Sequence, residues 1–105
     1  MAAWNVRYLK AAKTDIKKLG EPRGEHVRKA IRKVSTNPLP FTEGGYGKPL
    51  GKKRDINLTG LMKVKLKNDG IRILYSLERT EKSMTVVIVG VRDDEAVYRE
   101  AAKRL

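Results

Sequence analysis

Apolar and polar positions divide the chain into two helical stretches, an aperiodic middle and a strand-rich second half. Residues 4–8, WNVRY, predict a short edge strand. Leu9, Ala12, Ile16 and Leu19 then recur at helical spacing, and Gly20 supplies a stop. Pro22 suits the first turn of a second helix. Its stripe is Val27, Ala30, Ile31 and Val34, and Asn37-Pro38 ends it. Two amphipathic helices with so short a link predict a helical hairpin. Arg28, Lys29, Arg32 and Lys33 lie away from the stripe, where plain solvation is sufficient reason for them.

Residues 37–57, NPLPFTEGGYGKPLGKKRDIN, show no periodicity. They predict a long segment without regular structure: a disordered insert, a lid, or a loop that orders on a partner. No GxGxxG occurs, and Gly51-Lys52 lacks the glycine spacing and the Ser or Thr of a P-loop.

A three-stranded antiparallel meander is predicted next, at about 60–67, 70–78 and 83–90. Asp69-Gly70 is a two-residue hairpin signal, and Thr80-Glu81-Lys82 a second turn. Residues 85–89, TVVIV, are all β-branched and predict a central strand covered on both sides. Asp93 or Asp94 offers an N-cap to a final helix with Val97, Ala101 and Leu105 inward, and Lys103 and Arg104 suit its C-terminal dipole. The order is β-α-α-β-β-β-α. It describes one α+β domain over residues 1–105, with a helical hairpin on a mainly antiparallel four-stranded sheet and a short C-terminal helix.

Alternation along the hairpin sorts its side chains. With Asp69-Gly70 as the loop, Lys67 is predicted opposite Arg72, Leu66 opposite Ile73 and Lys65 opposite Leu74. Val64, Leu66, Ile71, Ile73 and Tyr75 then share the face toward the helices, and Lys63, Lys65, Lys67 and Arg72 share the other. Like charges across a ladder destabilise it, although lysines also guard edges against aggregation. Three lysines and a facing arginine exceed what edge protection needs, and predict a flat cationic surface suited to phosphates. Arg92 and Tyr98 would meet that surface at one end.

Charge sharpens this picture. The 105 residues hold 24 Lys and Arg against 12 Asp and Glu, a formal charge of +12. Such an excess points to a polyanionic partner, nucleic acid before an anionic membrane or an acidic protein. The absence of cysteine excludes disulfides, thiolate metal sites and a cysteine nucleophile. The start of the chain lacks a signal-peptide core, and no apolar run approaches a membrane span, so a cytoplasmic protein is expected.

His26 is the only histidine and sits in a helical pattern, so triads and two-histidine schemes find no support. Asp93, Asp94 and Glu95 are the one tight carboxylate cluster, and helix capping explains them better than a metal; no cofactor is expected. RNA, however, carries its own nucleophile, the 2′-OH. An enzyme need only align it, remove its proton, offset charge on the phosphorane and assist the 5′-oxygen. An ammonium flanked by cations loses its proton more readily, arginine stays charged, and an aromatic ring can stack on a base. Lys63, Lys65, Arg72, Arg92 and Tyr98 offer these parts. RNA binding without cleavage fits the same composition.

The segments GLMKVKLKNDGIRILYSL and VVIVGVRDDEAVYREAAKRL closely resemble the RelE-type toxins of the RelE/ParE superfamily. The shared pattern is K-x-K-L, a turn, G-x-R-x-x-Y, then V-x-x-R and E-x-V-Y. The resemblance covers about Gly60 to Leu105 firmly, and the N-terminal elements in order. It implies a type II toxin that enters the ribosomal A site and cuts mRNA there by metal-independent 2′-OH attack, paired with an antitoxin in a hetero-oligomer. By matching positions, Lys63 and Lys65 serve proton removal and phosphate contact, and Arg72 the transition state. Arg92 serves charge stabilisation or the leaving group, and Tyr98 stacks on the target nucleotide. Asp94 departs from the basic residue common there, and Met62 from an aromatic. Lys48, Lys52, Lys53, Arg54 and Lys67 are expected to touch RNA, the first four on ribosomal RNA. Two other readings stay open: a ParE-like inhibitor of DNA gyrase, and a non-catalytic RNA- or ribosome-binding module.

Overall fold

The chain runs β1 (Asn5–Tyr8), α1 (Lys10–Leu19), α2 (Arg23–Ser35), a 3-10 turn at Phe41–Glu43, β2 (Lys48–Lys53), β3 (Ile56–Leu66), β4 (Ile71–Glu78), β5 (Ser83–Gly90) and α3 (Asp94–Arg104). This computed structural model describes residues 3–91 and 93–105. The strands form one sheet in the order β1-β5-β4-β3-β2. The β1–β5 pairing is parallel and the other three strand pairings are antiparallel.

The α+β class and element order follow the sequence reading, with one strand more than the four predicted. Residues 37–57 are not a structureless loop. They contain the 3-10 turn and all of β2, and β3 already begins at Ile56. β2 is an edge strand with one buried side chain, Leu50, so no alternation marks it. Its partner is the long β3, and the ladder shifts register between Pro49 and Gly51. The Tyr75 hydroxyl donates to the Pro38 carbonyl at 2.8 Å and pins the preceding segment to the sheet. Gly47 lies against that hydroxyl and Met62, where a Cβ has no room.

Two apolar layers flank the sheet. On one face Ala12, Ile16, Val27, Ile31 and Val34 of the helical hairpin pack on Met62, Ile71, Ile73, Tyr75, Val86 and Val89. On the other, Val97, Tyr98 and Ala101 of α3 pack on Leu58, Leu61, Leu74, Val87 and Ile88. A bulge between β4 and β5 explains the sorting: Leu74 pairs with Ile88 but Tyr75 with Val86. Val87 is the extra residue, so Val87 and Ile88 both reach the α3 side. The helix stripes fall as predicted, except that Leu105 is 66% exposed. Asp93 is the N-cap of α3, accepting from the Ala96 amide at 2.9 Å.

The hairpin turn differs from its prediction by two residues. Leu66 pairs with Ile71, Lys65 with Arg72 and Lys63 with Leu74. The connection is therefore the four residues 67–70, not Asp69-Gly70 alone. A shift of two keeps every side chain on its predicted face. Lys67, however, leaves the ladder for the exposed turn and does not oppose Arg72.

Candidate active site

Odd-numbered positions of β3 from Leu61 onward face α3, so Lys63 and Lys65 enter that side with Arg72 of β4. Capping by Asp93 starts α3 so that Asp94 and Tyr98, one turn apart, stand over the strands. Arg72 Nε donates to Asp94 Oδ1 at 2.7 Å, and Lys63 Nζ reaches Asp94 Oδ2 at 3.5 Å. Lys63 Nζ also donates to the Tyr98 hydroxyl at 2.9 Å and lies 5.5 Å from the centre of that ring. Arg72 Nη1 donates to the Gly70 carbonyl at 2.9 Å, which fixes the guanidinium plane.

The expected flat, open cationic surface is thus a partly covered cluster. The side chains of Lys63 and Arg72 are only 11% and 15% exposed, because α3 lies on this face. Tyr98 is 8% exposed. Its ring is committed to Lys63 and the apolar layer rather than presented for stacking. Lys65 is exposed beside Arg72, and among the described residues it has no ion-pair partner. The Arg72 guanidinium holds the Asp94 carboxyl below the ordinary aspartate range against the desolvation that opposes it, with Lys63 adding to the effect. Arg92 lies outside the described residues.

Lys52, Lys53 and Arg54, at the β2–β3 turn, line a cavity of about 360 Å³ together with Ile56, Asp94, Glu95 and Tyr98. The cationic tip of that hairpin therefore adjoins the cluster. Lys48 pairs with Lys63 across the β2–β3 ladder and is exposed. His26 is remote in role, bonding through Nδ1 to the Asp69 carboxylate at 3.1 Å and tying α2 to the β3–β4 turn.

The sequence marks Asp94 as a candidate helix cap and as a departure from the basic residue of the family pattern, and neither predicts its place in the cluster. Asp93 does the capping, and Asp94 bridges two of the cations. The signal available was charge complementarity: a second aspartate, beyond the one that caps, at the start of a helix that must cross a row of lysines.

The arrangement of a helix across the central hairpin with a second helical layer behind it has solved counterparts. No protein-family model matches the sequence, and no curated protein matches it significantly. Among solved structures, a mutant of the E. coli toxin RelE in the free state is 25% identical, covers 99% of both chains and has a TM-score of 0.73. The same toxin in complex with an antitoxin RelB peptide is 25% identical over 99% of both chains, with a TM-score of 0.67. The archaeal RelE–RelB complex from Pyrococcus horikoshii shares the fold at 16% identity, covering 89% of this chain and 99% of that one, with a TM-score of 0.64. The chain has the RelE-type fold, and its resemblance to the RelE toxins runs nearly its whole length.

Proposed function

We propose that this protein is the toxin of a type II toxin–antitoxin pair, a ribosome-dependent endoribonuclease that cuts mRNA in the A site by 2′-OH attack. The observation that carries the reading is the pairing of exposed Lys65 with Arg72 across the β3–β4 ladder, beside Lys63 and Tyr98. The likeness to RelE toxins supports it.

In this reading the 2′-oxygen attacks the adjacent phosphorus while Lys65 takes its proton. The bond from phosphorus to the 5′-oxygen breaks, leaving a 2′,3′-cyclic phosphate and a 5′-hydroxyl. Lys63 is less suited to be the base, because its ammonium is engaged by Tyr98 and Asp94. It serves with Arg72 in offsetting charge on the phosphorane, where fixed donors are worth most. Arg92 offsets charge on the leaving oxygen or helps protonate it. Tyr98 orients the target base once the first turns of α3 give its ring room. No cofactor takes part. Lys48, Lys52, Lys53, Arg54 and Lys67 hold RNA backbone by charge. The antitoxin is a protein acidic where it meets this cluster.

The test is to incubate the protein with programmed ribosomes and map mRNA 5′ ends, with Lys65→Ala and Arg72→Ala beside the parent. A-site cuts present in the parent and lost in both variants support the reading. Intact mRNA with inhibited supercoiling replaces it with gyrase inhibition, and ribosome binding without cutting replaces it with a binding module.

A further inference from the structure

We propose that Asp94 is the resident anion of the phosphate seat: a positioning residue that holds Arg72 and Lys63 in place and that the RNA phosphate must displace. The inference rests on the reading of those two cations as phosphate contacts. One carboxylate oxygen serves each cation, Oδ1 to Arg72 at 2.7 Å and Oδ2 to Lys63 at 3.5 Å. Two oxygens of a phosphodiester present the same two acceptors to the same two donors. The cations are 11% and 15% exposed while Asp94 is 45% exposed, so an anion arriving from solvent meets the carboxylate before it meets them.

Helix capping does not account for Asp94, because the neighbouring Asp93 already satisfies the Ala96 amide. The helix dipole favours any acid in the first turn, and Glu95 is there as well. Among the described residues, Asp94 alone bridges two strands of the sheet through their cations. Displacing it also frees Lys63 and, through Lys63, the Tyr98 hydroxyl.

The experiment measures binding of a fluorescent 2′-O-methyl oligoribonucleotide, which cannot be cut, across a salt series. The parent is compared with Asp94→Asn, Asp94→Glu and Arg72→Ala. Asp94→Asn is expected to bind about fivefold tighter or more. Its log–log salt slope should stay near the parental one, because the same phosphate fills the seat in both. Asp94→Glu should restore parental binding, and Arg72→Ala should weaken it. If Arg72→Ala weakens binding but Asp94→Asn does not tighten it, Asp94 is a structural tie and the proposal is wrong while the phosphate seat stands. If Arg72→Ala binds like the parent, the seat itself and the proposal both fall. Should Asp94→Asn not fold, inorganic phosphate titrated into the parent decides: the Arg72 Nε and Asp94 amide resonances must shift together, and unmoved resonances overturn the proposal.

Discussion

Besides the exposed Arg99–Asp55 contact, an arginine–aspartate pair at each end of α3 ties it to the rest of the molecule, and the two differ in what is left over. At the C-terminal end Arg104 grips Asp15 through two bonds, at 2.7 and 3.1 Å. Arg104 also donates to the Val87 carbonyl at 2.9 Å, and Asp15 accepts from the Val89 amide at 3.1 Å. Both side chains are about 15% exposed, and Glu100 adds a second carboxylate to Arg104 at 3.2 Å, so no positive charge is left over. At the N-terminal end Arg72 makes one bond to a half-exposed Asp94, Lys63 shares that carboxylate, and Lys65, across the ladder from Arg72, has no ion-pair partner among the described residues. A closed pair that spends its donors on the fold is architecture. An open pair with surplus positive charge is unsatisfied by the chain itself, and the surplus identifies what the partner must carry.

Breaking the comparison at the functional pair should give the largest change. Lys65→Ala and Arg72→Ala are each expected to lower A-site cleavage by about a hundredfold or more. Their melting temperatures should move by only a few degrees, which calorimetry beside the cleavage assay would check. Asp15→Asn tests the other end. It leaves the partly buried Arg104 with only the half-exposed Glu100 as its anion and is expected to cost about 3 kcal/mol. For a domain of this size that lowers the melting temperature by roughly 10 °C or more. An unchanged melting curve would show that the closed pair is not the anchor described.

The smallest effect belongs to Asp94→Asn, about 1 kcal/mol or less, since its carboxylate is half in water. It carries a pH signature. The Asp94 carboxyl is held below the ordinary aspartate range, chiefly by Arg72. Its contribution is therefore complete above the unfolded value of about 3.9 and disappears as pH falls through the lower folded value. The stability difference between the parent and Asp94→Asn should be constant near neutrality and close in strong acid. A difference that grew on acidification would contradict the assignment.

Much of this was legible in the chain because alternation and helical spacing are local. Val27, Ile31 and Val34 report their face unaided, and the odd-numbered lysines of β3 report theirs even when the turn is misplaced by two residues. The length of that turn was not legible. Asp69 is held by His26, 43 residues away in sequence, and Asp-Gly alone does not encode that contact. β2 escaped notice because Pro49, Gly51 and three lysines carry no strand period, and only the excess length of β3 supplies its partner. The cover that α3 places over Lys63 was also hidden. It depends on the Asp15–Arg104 and Arg72–Asp94 ties, both formed between residues distant in sequence.

If the cluster beneath α3 directs a ribose hydroxyl of RNA at its own phosphodiester, cleavage cannot proceed without that hydroxyl. The most direct measurement uses programmed ribosomes carrying mRNA with one 2′-deoxy nucleotide in the A site, immediately 5′ of the expected cut. The account predicts that cleavage disappears for that message and persists, ending in a 2′,3′-cyclic phosphate, for the all-ribose one. Cleavage of both messages alike would contradict it.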